Sequence, residues 1–210
     1  MSDMHVFRSV ICVTGHKGAG KDEFCKRAAE NGYASVRFSD PIREEAVRRF
    51  GPSYTVQQLI EIGNEGRRAG GPGHWAALLM TLAASRGWDR LVINGARNPG
   101  EIAEVRAHAG PSCALVGITA PILVRAARIA KRGQVEDRAE LEKFLAMDDA
   151  DRGLGQPADG QQVDRCMAMV PHANLYNNAG TLDDYRAWID AVLVRATAPS
   201  REWRGEFGGG

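Results

Sequence analysis

The sequence predicts a three-layer α/β fold: a mostly parallel, five-stranded sheet between helices, with a helical lid. Three observations carry this. Short apolar runs alternate with segments of helical spacing along most of the chain, the pattern of strands joined by right-handed helical crossovers. The runs are continuous rather than alternating, as in strands buried on both faces. The 210 residues, 44% hydrophobic and 25% charged, suit one globular unit of ordinary to large size. Residues 1–197 are expected to form one domain with a lid at about 125–160, and 198–210, ending in consecutive glycines, a disordered tail.

The elements follow in order. Val10 to Val13 is a buried strand that ends at Thr14-Gly15. A helix runs from Lys21 to Asn31 and stops at Gly32. Ala34 to Phe38 is a second strand, closed by Ser39-Asp40-Pro41. The helix Ile42 to Phe50 follows, with Pro41 near its first turn, where proline is tolerated. Thr55 opens another helix, with Val56, Leu59, Ile60 and Ile62 at helical spacing. Gly66 to Gly73, glycine-rich and basic, reads as a loop or broken helix end. Trp75 to Ser85 is helical, Leu91 to Gly95 a third strand, Pro99 to Ala109 a helix, and Cys113 to Ile118 a fourth strand. Pro121 to Arg132 is a helix studded with arginines and ended by Gly133. Ala139 to Met147 is helical and 153–162 loop-like. Ala173 to Asn177 is the last strand and Leu182 to Arg195 the last helix.

A net charge of +1 supplies no basic footprint for stable binding of duplex DNA. Arginine greatly outnumbers lysine; its planar fork suits phosphate oxygens, although codon composition alone produces the same skew. No apolar run is long enough to span a bilayer, so no membrane partner is expected. The cysteines Cys12, Cys25, Cys113 and Cys166 form no C-x-x-C pair, which suits a reducing cytoplasm. Cys12 and Cys113 lie in strand runs and read as core, as do Trp75, Trp88 and Trp188. Oligomeric state is left open.

The pattern G-x-x-x-x-G-K occurs once, as Gly15-His16-Lys17-Gly18-Ala19-Gly20-Lys21. It follows a strand and opens a helix, the context the phosphate loop requires. Glycines let backbone N–H groups curl around an anion, and the helix behind directs its positive end at the same phosphates. Residues Gly15 to Glu23 are therefore expected to bind ATP, with Lys21 as the catalytic cation on the β- and γ-phosphates. Asp22 stands where Ser or Thr usually holds Mg²⁺. It either ligates the metal, directly or through water, or only caps the helix.

A second site must hold the acceptor in line with the transferred phosphate. Ligands in doubly wound sheets gather at the carboxyl ends of strands. There lie Asp40, as catalytic group or water-mediated metal ligand, and Arg97; with Arg43 and Arg67, Arg97 is a candidate clamp for an acceptor phosphate. The plainer alternatives are a helix start at Asp40-Pro41 and solvated charges at the arginines. Arg125, Arg128 and Arg132, at i, i+3 and i+7, share one helix face. Arg128 and Arg132 are expected to close over the nucleotide and stabilise the transition state, or else the face pairs with Glu136, Asp137 and Glu140. For Asp148, Asp149 and Asp151, salt bridges to these arginines are favoured over metal binding. His16 and His74 are loop residues.

Taken together, these residues resemble two groups of P-loop kinases. Phage deoxynucleoside monophosphate kinases are similar at Gly20-Lys21-Asp22, Leu59-x-x-x-Gly63-x-x-x-Arg67, Trp75, and Arg97 with Glu101. Archaeal-type dephospho-CoA-kinase-like proteins are similar at Ser39-Asp40-x-x-Arg43, Gly95-x-Arg97, Arg128-x-x-x-Arg132-Gly133 and Asn178-x-Gly180-Thr181-Leu182. Asn94 stands where these families often have Asp, and segment 148–165 diverges. The resemblance implies a P-loop NTPase fold, ATP, Mg²⁺ and a phosphate-bearing nucleotide substrate. The expected activity is transfer of the γ-phosphate to a nucleoside (deoxy)monophosphate. The alternatives are dephospho-CoA or a hydroxymethylated base as acceptor, or a regulatory ATPase that transfers nothing.

Overall fold

In the computed structural model, residues 5–131 and 138–197 are described. β1 (Ser9–Gly15) lies at the centre of the sheet, and all seven of its residues are buried. β3 (Arg90–Ala96) and β4 (Cys113–Thr119) flank it, with β2 (Ala34–Arg37) and β5 (Leu175–Asn177) at the edges. Every pairing is parallel. Because successive side chains point to opposite faces, Val10 and Cys12 enter one core while Ile11 and Val13 enter the other. That double burial is why the run is continuously apolar.

On the first face, α4 (His74–Ser85) and α5 (Pro99–Ala109) cover Val10, Leu91, Ile93 and Leu115. On the second, α1 (Lys21–Glu30) and α9 (Leu182–Thr197) bury Phe24, Tyr185 and Ile189 against Ile11, Val92 and Val116. α2 (Asp40–Phe50) and α3 (Val56–Gly70) form a satellite core with α4 around Ala46, Ile62 and Trp75. α6 (Ile122–Ala130), α7 (Arg138–Arg152) and the short α8 (Val163–Ala168) lie beyond β4 in the chain.

The expected loop at Gly66–Gly73 is corrected. α3 continues to Gly70, and only Gly71–Gly73 connects it to α4. The glycines serve packing here. A Cβ on Gly66 would collide with the Trp75 ring, and Trp75 Nε1 donates to Gly63 O at 3.1 Å. The last strand is shorter than expected, since a 3₁₀ turn takes His172–Asn174. α8 was not anticipated, and six residues give periodicity little to show. Arg132, Gly133, Glu136 and Asp137 lie outside the described residues, as does the tail after 197.

Candidate phosphate-binding and acceptor site

β1 leads from the middle of the sheet, where the strand order reverses between β3 and β4, into the loop before α1. In such sheets that crevice takes ligands. Two glycines make the path possible. Gly15 (φ 140°) runs against the Ile118 backbone where a side chain would collide; at Gly20 (φ 114°) a Cβ would sit 2.5 Å from Asn178 Nδ2.

What distinguishes the loop is the fate of its carbonyls. Lys21 Nζ donates to Gly15 O and His16 O at 2.6 and 2.9 Å. Arg125 Nη1 donates to Lys17 O at 3.1 Å. Asn178 Nδ2 donates to Ala19 O at 2.8 Å, joined by Arg128 Nη1 at 3.3 Å. The Tyr185 hydroxyl donates to Gly20 O at 3.0 Å. With these acceptors engaged, the amides of Lys17, Gly18 and Gly20 make no hydrogen bond among the described residues. The amides of Lys21 and Asp22, which open α1, also have no acceptor among the described residues, whereas those of Glu23 and Phe24 bond Gly20 O. The result is a concave run of free N–H donors at a helix N-terminus, a ready anion site.

Lys21 is half-buried. Burial first, and then the nearby Arg97 guanidinium, lower its ammonium to about 8, while Asp151 and Asp22 pull it up. At neutral pH the ammonium is therefore largely charged and rests on the loop's own carbonyls.

Beside it a cleft of about 270 Å³ is lined by Asp22, Lys26, Arg37, Asp40 and Asn94, among others. Asp22 Oδ1 accepts from Asn94 Nδ2 at 2.8 Å and lies 3.4 Å from Arg37 Nη2. Asp40 Oδ2 accepts from the Arg37 amide at 2.7 Å, closing the turn into α2. The helix-start role thus occupies one oxygen of a carboxylate that still lines the cleft. Among the described residues no three His, Cys, Asp or Glu side chains gather into a metal cage. Mg²⁺ needs none, since one or two carboxylates, phosphate oxygens and waters suffice. Asp22 and Asp40, hard oxygen donors on one cleft, fit it.

The acceptor arginines are only partly brought together. Arg97, at the carboxyl end of β3, is about half exposed and lies 3.6 Å from Asp151. The buried Glu101 accepts from the amides of Arg97 and Asn98 at 2.8 and 3.2 Å. Burial pushes its carboxyl up, and the guanidiniums of Arg67 and Arg97 both act against that. These two arginines therefore share one electrostatic neighbourhood. Arg67 also donates to Asn64 at 2.8 Å. Arg43 is exposed and reaches Tyr54 Oη at 3.3 Å; none of Arg43, Arg67 and Arg97 is among the residues lining the cleft.

The expected arginine face over the nucleotide is corrected for Arg125. It is buried, clasps both oxygens of buried Asp148 (Nη2 to Oδ2, 2.8 Å), and also donates to Ala120 O at 3.1 Å. Arg128 spends its donors on Ala19 O and, at 3.0 Å, Asn178 O. The salt bridge expected between this arginine face and the acidic cluster is thus present at Asp148. His16 is tied at both nitrogens, to Thr119 Oγ1 at 3.1 Å and Asp164 Oδ1 at 3.0 Å. Asp164 in turn accepts from Arg152 at 3.0 Å. Glu23 accepts from Arg186 Nε at 2.7 Å on α9, away from the loop's carbonyl ties. Residues 15–22 form the loop and the first turn of α1 as anticipated. Tyr185, Asp164 and Arg37 were not anticipated. Only Asn178 had a sequence signal, in the stretch Asn178-x-Gly180-Thr181-Leu182.

No family model matches the chain. It is 31% identical over 191 residues to a UPF0200 protein of Pyrococcus horikoshii, covering 89% of this chain and 96% of that one. With a UPF0200 protein of Methanosarcina mazei it shares 28% identity over 186 residues, 88% and 93% of the two chains. Among solved structures, a gluconokinase from Sinorhizobium meliloti superposes with TM-score 0.50 at 20% identity, covering 91% and 95%. A shikimate kinase from Acinetobacter baumannii does so with TM-score 0.50 at 18% identity, covering 91% and 96%. At these identities the likeness is one of fold: the α/β fold of P-loop kinases, with strand order 2-3-1-4-5.

Proposed function

The chain belongs to the UPF0200 family, and on that premise we propose that it is an ATP-dependent kinase acting on a nucleoside monophosphate or closely related phosphate-bearing acceptor. The observation that carries this is the loop at 15–21. Donors take up the carbonyls of Gly15, His16, Lys17, Ala19 and Gly20, the first two through the Lys21 ammonium itself, which leaves the amides of Lys17, Gly18 and Gly20 to meet a triphosphate with that ammonium beside them. The fold shared with solved chains that bear kinase names supports transfer to a small molecule.

In this reading the loop amides and the α1 N-terminus bind the β- and γ-phosphates. Lys21 leaves its carbonyls and follows the negative charge that moves during transfer. Asp22 and Asp40 would hold Mg²⁺, which would supply positive charge to the phosphates during transfer. Asp40 faces the cleft where the acceptor hydroxyl or phosphate approaches and orients it. Arg97, with Arg67 behind it, grips the acceptor's phosphate. Arg125 and Arg128 act as positioning residues by holding the loop's shape.

The test is a phosphoryl-transfer screen with ATP and Mg²⁺ against nucleoside monophosphates, dephospho-CoA and single-stranded DNA. Lys21→Ala should lose at least about two orders of magnitude in turnover. Arg97→Ala should abolish transfer while slow hydrolysis of ATP persists. If no acceptor is phosphorylated and Arg97→Ala leaves all nucleotide chemistry unchanged, the protein is a nucleotide-binding switch instead. If ATP is not bound, the reading fails altogether.

A further inference from the structure

Phosphate-loop enzymes commonly divide metal binding between a neutral hydroxyl after the loop lysine and a carboxylate elsewhere. Here the side chains are the other way round. The residue after Lys21 is Asp22, and the neighbouring polar group on a central strand is the amide of Asn94. The two are joined, Asn94 Nδ2 to Asp22 Oδ1, at 2.8 Å.

The two partners are unequally free. Asn94 is 7% exposed. Its backbone is held in both ladders of β3, paired with Val13 of β1 and Arg37 of β2. Asp22 is 57% exposed in its side chain and stands on the first turn of α1. Its other neighbour, Arg37, is equally exposed and 3.4 Å away, a contact of the kind that contributes little. The fixed amide therefore decides where the exposed carboxylate points. Rigid strand groups that hold a metal-binding side chain by its second oxygen tune affinity as the ligands themselves do.

We propose that Asp22 and Asn94 form a transposed pair: of these two side chains the one that carries the negative charge for the metal sits on the helix, and Asn94 is the positioning residue that aims it into the cleft. This rests on the nucleotide-site reading above. Exchanging the two side chains, Asp22→Asn with Asn94→Asp, keeps size, net charge and hydrogen bond while moving the charge back to the strand.

The experiment measures Mn²⁺ binding by electron paramagnetic resonance on the full chain, saturated with the β,γ-imido analogue of ATP. Analogue binding in EDTA is measured first, and thermal unfolding checks each variant's fold. Asp22→Asn should weaken Mn²⁺ binding about 100-fold and Asn94→Ala about tenfold. The exchanged pair should recover at least about tenfold over Asp22→Asn. Absence of analogue binding by the parent in both EDTA and Mn²⁺ would sink the nucleotide reading itself. With analogue bound, parental Mn²⁺ affinity in Asp22→Asn or Asn94→Ala overturns only the transposed pair. So does an exchanged pair that folds like the parent and binds Mn²⁺ no better than Asp22→Asn. If the exchanged pair does not fold, the two single variants decide the outcome.

Discussion

Replacing Asp148 by Asn tests whether α7 secures the phosphate loop. The parent carboxylate is buried against Arg125, which in turn donates to Lys17 O in the middle of the loop. The variant keeps the shape and removes the charge, which leaves a buried guanidinium without its counter-ion. Breaking a buried pair in this way costs about 3–5 kcal/mol. Arg125 retains bonds to Ala120 O and Lys17 O, both at 3.1 Å, so the lower end, about 3 kcal/mol, applies. In a chain of this size each kcal/mol moves the midpoint by about 2–4 °C. The melting temperature should thus fall by roughly 6–12 °C, read by circular dichroism at matched concentration. Arg125→Met with Asp148→Leu should regain most of that stability, because an apolar pair of similar volume often replaces a buried ion pair without loss. It should not regain affinity for an ATP analogue, since nothing then holds Lys17 O. An Asp148→Asn variant within about 0.5 kcal/mol of the parent would class the pair with exposed ones and refute this reasoning.

Three further outcomes are expected. Affinity of the free protein for an ATP analogue should fall as pH rises through about 8, because Lys21 loses its proton there. Calorimetry in two buffers of different ionisation enthalpy should show proton uptake on binding near that pH, and Lys21→Met should abolish it. Gly66→Ala should destabilise by about 1–3 kcal/mol through overpacking, because the added methyl meets the Trp75 ring; the urea midpoint and tryptophan emission report it. Tyr185→Phe keeps the ring stacked on Tyr176, 5.1 Å between centroids, but removes the hydroxyl's bond to Gly20 O, which then keeps only the α1 amides of Glu23 and Phe24. The expected cost is about 0.5–1.5 kcal/mol, seen as a lower urea midpoint at unchanged slope, with weaker analogue binding.

The central strands were legible because burial on both faces demands continuous apolar residues, and Val10–Val13, Leu91–Ile93 and Cys113–Ile118 supply them. The loop was legible because glycine spacing and the adjoining strand and helix are local. Gly66–Gly73 misled for a physical reason: glycine signals a break when read alone, yet here it admits an indole ring from the next helix. The arginines of α6 misled similarly. Spacing puts Arg125 and Arg128 on one face and the acidic cluster at Asp148 was the expected partner, but nothing local shows that the loop turns its carbonyls toward them. Tyr185 and Asp164 escaped because their partners, Gly20 and His16, lie far away in sequence.

That remoteness has a consequence for the order in which the chain is made. The glycine loop is made before its partners: its strand pairs with residues 90–96 and 113–118. The donors on Ala19 and Gly20 come from Asn178 and Tyr185, 159 and 165 positions later. Contacts of such separation form slowly and late. Until those partners are made, a growing chain therefore exposes this segment as ordinary glycine-rich coil. Competence to hold a nucleotide arrives only with α9, so loss of that helix should remove ligand binding even though every residue of the motif remains.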